Sequence, residues 1–73
     1  EKTTIHFKVN SSYHVNIDLF NNGGKKIKAI ADGIYDPGEH MIEVSITDLP
    51  AGVYVYQMRT GFYKEAKKLV ILK

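Results

Sequence analysis

Apolar and polar residues alternate along most of this chain with the two-residue period of a half-buried β-strand. No stretch carries the apolar stripe of an amphipathic helix. Ile5, Phe7 and Val9 alternate with Thr4, His6 and Lys8, which predicts a first strand with one wet face. Asn10-Ser11-Ser12 reads as a turn, and Val15, Ile17 and Leu19, spaced by Asn16 and Asp18, predict a second strand. Asn21-Asn22-Gly23-Gly24 is a strong hairpin signal, because Asn and Gly tolerate the positive φ that a tight hairpin demands.

The third strand, Lys25 to Ala31, is less regular. Ile27 and Ile30 fall out of alternation there, as a bulge or an edge strand would require. Asp32-Gly33 and Asp36-Pro37-Gly38 are read as the two ends of a loop. A fourth strand places His40, Ile42, Val44 and Ile46 inward and Glu39, Glu43 and Ser45 outward. Asp48-Leu49-Pro50-Ala51-Gly52 is the next corner, with Leu49 plugging the end of the core. The fifth strand sets Tyr54, Tyr56 and Met58 against Val55, Gln57 and Arg59. Thr60-Gly61 turns the chain, Phe62-Tyr63 falls in that turn, and Ala66 to Leu72 closes the fold. About six short strands with regular turn signals predict an all-β, antiparallel sandwich.

Length then sets the scale. The chain has 73 residues, enough for one domain, with 44% hydrophobic and 25% charged residues and no cysteine. Disorder, disulfide scaffolds and thiolate metal sites are thereby disfavoured. The net charge of +2 gives no footing for nucleic acid. Its lysines are clustered, however: Lys25, Lys26 and Lys28 in one group, and Lys64, Lys67, Lys68 and Lys73 in another. Solvated strand faces and gatekeepers beside apolar strands are the ordinary account, and an anionic partner surface is the sharper one. No apolar run approaches the ~20 residues of a membrane span. The opening Glu1-Lys2-Thr3, without a methionine or a signal peptide, reads as part of something longer.

Candidate chemistry is sparse. His6, His14 and His40 lack the spacing of a metal clip, and His40 on an inward row is expected to be half-buried and hydrogen-bonded. No Gly-x-Ser-x-Gly elbow surrounds Ser11, Ser12 or Ser45. Asp32, Asp36 and Glu39 lack the dense oxygen pattern of a calcium loop. Gly23-Gly24 precedes no helix and so is no phosphate loop. Tyr54 and Tyr56 are expected in the core with their hydroxyls at its rim, rather than forming a sugar-stacking platform. An enzyme is not expected, nor a cofactor.

The order Val15-x-Ile17-x-Leu19-Phe20-Asn21, Gly24-Lys25, Pro37-Gly38-Glu39-His40-x-Ile42, Leu49-Pro50-Ala51-Gly52-Val53-Tyr54-Val55-Tyr56 and Lys67-Lys68-Leu69-Val70-Ile71-Leu72-Lys73 carries a family likeness. It resembles the type A C-terminal sorting domain of type IX secretion cargo proteins of Bacteroidota, from about Thr3 to Lys73. The resemblance implies an Ig-like antiparallel sandwich of about seven short strands. It also implies a secretion signal: an N-terminal cargo domain in the same polypeptide crosses the periplasm, meets the type IX outer-membrane translocon, and is released or attached at the cell surface by a sortase-like peptidase. Matching the family's recognition motifs are Gly52 and Tyr54, then Lys67, Lys68, Leu69, Val70, Ile71, Leu72 and Lys73. Gly24 and Gly38 match its structural turns. The family's Asn-Pro element is absent, Asn21 stands where aspartate is usual, and Gly23 replaces an apolar residue.

On this reading the terminal strand is the address, offered for β-augmentation, and deleting Leu69 to Lys73 is expected to strand a fused reporter in the periplasm. Pairing of two copies edge to edge is a further partner left open. Two other readings compete: a structural Ig-like spacer, akin to the domain of the flagellar hook-capping protein, and a carbohydrate-binding module using Tyr35, Phe62 or Tyr63.

Overall fold

The computed structural model describes residues 2–11, 13–61 and 63–72. Six strands follow in order: β1 (Lys2–Val9), β2 (Tyr13–Asn21), β3 (Lys26–Tyr35), β4 (Gly38–Ser45), β5 (Gly52–Thr60) and β6 (Tyr63–Ile71). They form two antiparallel sheets, one of β1 and β4, the other in the order β3-β2-β5-β6. The described residues thus hold six strands where the family resemblance implied about seven. The all-β sandwich itself is as the alternation predicted.

The inward rows explain why the sheets face each other. Phe7 and Val9 of β1 pack with Val15 and Ile17 of β2, Ala31 of β3 and Met58 of β5. A second cluster joins Leu19, Ile46, Leu49, Tyr54 and Ile71. Leu49 does plug one end, held by a turn in which its amide donates to the Ile46 carbonyl at 3.1 Å. Each fully buried Val, Ile or Leu contributes about 1.5–3 kcal/mol of transfer free energy, so these two clusters carry most of the stability of so short a chain.

Strand β3 explains its own irregular sequence. Its register against β2 runs Ile17↔Ala31, then Asp18↔Ala29, and Leu19↔Lys28, then Phe20↔Lys26. Ile30 and Ile27 are therefore the supernumerary residues of two bulges on an edge strand. Ile30 uses its irregular position to pack against both core clusters. The expected loop beginning at Asp32-Gly33 is instead the second half of β3, because Asn16 and Val15 pair with these residues. Likewise β6 starts at Tyr63 rather than Ala66, so Tyr63 belongs to a strand and not to the turn. Ser12 of the first turn and Phe62 of the last lie outside the described residues.

Lys28 ties the sheets together at one margin. Its Nζ donates to the Ser45 carbonyl at 3.2 Å and stands 3.7 Å from the Asp48 carboxylate.

Candidate functional site

Strand β6 pairs with β5 along its whole length, from Gly52↔Ile71 to Thr60↔Tyr63. Among the described residues its other side has no strand partner. Alternation divides its side chains between two faces. Ile71 is buried and Leu69 half-buried in the second core cluster, with Lys67 and Glu65 continuing that row. On the outer face stand Lys64, Ala66, Lys68 and Val70, and Leu72 follows the strand 81% exposed. The terminal run is thus apolar on both faces, and only one of them is covered. Lys73 lies outside the described residues.

The register carries this outer row across the sheet. Val70 lies opposite Val53, and Lys68 lies opposite Val55, which in turn lies opposite Phe20 of β2. One pair further along, Asp18 lies opposite Gln57. Asp18 is only 8% exposed on this otherwise open face, because Lys26 (3.3 Å) and Arg59 (3.6 Å) cover its carboxylate. A carboxylate so enclosed requires cationic partners to offset lost hydration. Beyond it the His14 ring meets Asp32.

The two residues of the Gly-x-Tyr motif have structural work. Tyr54 is buried, and its hydroxyl donates to the Pro50 carbonyl at 2.7 Å, the corner found in immunoglobulin-type sandwiches. Gly52 opens β5 with φ 157°. Gly24 has φ 89° in the β2–β3 hairpin, a conformation that favours glycine, and its amide donates to the Asn21 carbonyl at 2.9 Å. Asn21 Oδ1 accepts from the amides of Gly23 and Lys25, each at 2.9 Å, so asparagine serves as the organising side chain of this turn. Gly38, with φ 129°, begins β4.

The remaining candidates do not converge. His40 is half-buried, donates from Nε2 to the Asp36 carbonyl at 2.7 Å, and stacks on Phe7 at 5.4 Å, the local satisfaction expected of it. Tyr35 joins them edge-on and so is committed to packing. Tyr63 is exposed and shares a groove of about 560 Å³ with Tyr13, Val9, Met58 and Lys67. Tyr35 lies opposite Tyr13 in the β2–β3 register, so Tyr13 stands between Tyr35 and the groove that Tyr63 lines. Among the described residues no His, Asp and Glu side chains gather as a metal site. No helix there is long and apolar enough to cross a membrane.

Sequence reading gave a recognition role to the terminal run but none to Phe20, Val53, Val55 or Asp18, which share its outer face. Their grouping follows from strand register, which alternation within single strands does not specify.

In comparison with known proteins, the sequence model of the family described as secretion system C-terminal sorting domain matches residues 1–72. No curated protein and no solved structure matches the chain.

Proposed function

The chain belongs to the family of secretion system C-terminal sorting domains, the type IX sorting tails, and from that premise we propose that β6 is the element by which the translocon recognises an attached cargo. The observation that supports this most is the place of β6: an outermost strand whose final turn of alternation puts Leu69 and Ile71 in the core and leaves Val70, followed by Leu72, in solvent. An unpaired strand edge offers a row of backbone donors and acceptors to a receptor strand, while its side chains supply selectivity. Lys67 and Lys68, both exposed, steer an anionic receptor and discourage two tails from pairing edge to edge.

In this mechanism Tyr54 acts as scaffold. Its corner fixes the path from Pro50 into β5, and β5 in turn holds β6 in register. An N-terminal cargo domain is carried through the periplasm to the outer membrane and to the surface or the medium. A sortase-like peptidase acts after recognition, and the tail itself performs no catalysis.

Truncation of 69–73 removes Ile71 from the core, so lost export in that variant also reports unfolding. A sharper test keeps the chain whole. A reporter fused ahead of these residues, expressed in a host with a type IX system, is expected at the cell surface, and the same reporter without them in the periplasm. The double variant Lys67→Glu, Lys68→Glu is expected to hold the reporter in the periplasm. Surface export at the parent level from that variant would remove β6 from the mechanism.

A further inference from the structure

The outer face of the four-stranded sheet has two unlike ends. At one end His14 pairs with Asp32, and Asp18 with Arg59 and Lys26, leaving a surface that is polar apart from exposed Ile34. At the other, Val53 and Val70 lie directly opposite each other, 39% and 52% exposed. Half-buried Phe20 and Val55 extend this patch across β2 and β5, and Leu72 follows Val70 at its margin. None of these side chains belongs to either core cluster. Contiguous apolar surface beside an open strand edge invites aggregation, and its presence marks a contact surface.

Charge around the patch selects among occupants. Lys26, Arg59, Lys64 and Lys68 stand on this face against two carboxylates, Asp18 and Asp32. Asp18 already faces two of the cations and Asp32 is engaged by His14, so among the described residues Lys64 and Lys68 along β6 are left without an acidic neighbour on the face. A second copy laid on the same patch would set these lysines against like charges, which disfavours self-association.

We infer that this end of the sheet docks a protein partner with an apolar centre and an acidic rim. Val53 and Val70 form the central contact, Phe20 and Val55 its floor, and Lys68 the charged margin. The inference rests on the sorting reading and deepens it: the partner is the receptor that reads β6, and it reads the outer face of the strand in addition to the backbone edge. Two neighbouring lysines then acquire different weights. Lys68 belongs to the docking face, whereas Lys67 lies in the opposite row beside the groove.

The reporter fusion tests this with the double variant Val53→Thr, Val70→Thr, which keeps branching at Cβ and near-equal shape while adding a hydroxyl at the centre of the contact. Surface reporter is expected to fall about tenfold, the loss that ~1.4 kcal/mol of receptor binding would produce, with the tail still resistant to protease in the periplasm. Lys68→Glu is expected to act in the same direction and to lose more export than Lys67→Glu. Ile34→Thr at the other end of the same face (Ile34 is 74% exposed) and Met41→Thr on the other sheet (69%) are expected to export normally. Parent-level export from the valine variant overturns the inference, as does an equal loss from Ile34→Thr or Met41→Thr. If the face variants are silent while the paired lysine inversion still blocks export, β6 recognition stands and face docking falls. If the reporter lacking the tail reaches the surface equally well, the sorting reading itself fails.

Discussion

The outer faces of the two sheets are built on opposite plans. On the β1–β4 sheet, Lys8 lies opposite Glu39, Thr4 opposite Glu43 and Lys2 opposite Ser45, with Met41 opposite His6 as the one large apolar side chain. Polar and charged groups answer one another across the strands, so water is a sufficient partner for that face. On the four-stranded sheet, valine faces valine at one end, and among the described residues the outer lysines of β6, Lys64 and Lys68, lie opposite Arg59 and Val55 rather than an acid. Both faces are equally outside the core. The first is polar but for Met41, whereas the second gathers its ion pairs around Asp18 and Asp32 and leaves Val53, Val70 and Leu72 exposed at its far end. That difference supports the proposed contact surface more sharply than the terminal motif does, since Leu69 and Ile71 of that motif pack into the core.

The contrast depends on the inner row of β6 holding the fold while the outer row does not, and the largest expected effect tests that division. Ile71→Ala should cost about 2–5 kcal/mol, the range for emptying a buried aliphatic site. For a chain of this size each kcal/mol corresponds to roughly 4–8 °C in melting temperature. Leu72→Ala, one residue on and mostly exposed, should change stability by no more than about 0.5 kcal/mol. Denaturant titration of the two variants measures both. Equal losses would mean that the outer row is also structural, and the contrast between faces would collapse.

Why the alternation revealed some of this and not the rest has a physical reason. Ile5, Phe7 and Val9, and again Val15, Ile17 and Leu19, are legible because each strand has a sheet packed over one face, so its apolar residues must recur every second position. Asp32-Gly33 misleads because it has the composition of a turn, while on an edge strand an outward Asp beside a Gly costs little. Tyr63 to Glu65 is silent for another reason. The inner row of β6 at that end, Glu65 and Lys67, borders an open groove rather than a packed layer, so nothing selects for apolar residues there. The bulges at Ile27 and Ile30 were foreshadowed by their broken alternation. The docking face was hidden because Val53 and Val70 are 17 positions apart in sequence and meet only through register.

A smaller effect tests how the outer row is held in place. Tyr54→Phe keeps the buried ring and removes the hydroxyl that donates to Pro50. The expected loss is about 0.5–1.5 kcal/mol, the net worth of a typical hydrogen bond. If the corner serves only to fix β5, export of a fused reporter should fall no more than the folded fraction does. A loss of export well beyond the loss of folded protein would give Tyr54 a direct part in recognition, against its burial.

The polar face of the β1–β4 sheet can be broken deliberately. Glu39→Lys places a lysine opposite Lys8 and should destabilise by about 0.2–1 kcal/mol, the scale of a cross-strand pair. Because both groups are exposed, raising the salt concentration should recover much of that loss. A cost unaffected by salt would show that Glu39 acts through packing, and the β1–β4 face could no longer be described as electrostatically self-complementary.

The smallest expected effect on stability belongs to the residues with the largest expected effect on export. Val53 and Val70 remain 39% and 52% exposed, so each buries only part of the apolar area that would stabilise the fold. Threonine keeps the β-branched geometry that suits a strand. Val53→Thr with Val70→Thr should therefore shift the unfolding free energy by less than about 1 kcal/mol in total, near the ±0.5 kcal/mol typical of each surface substitution. A loss of 2 kcal/mol or more on this scale would mean that the pair clamps β5 to β6, and the apolar end of the sheet would be explained by folding after all. Near-neutral stability leaves that explanation without support, because a cross-strand valine pair that contributes little to folding still presents apolar area to whatever the strand meets.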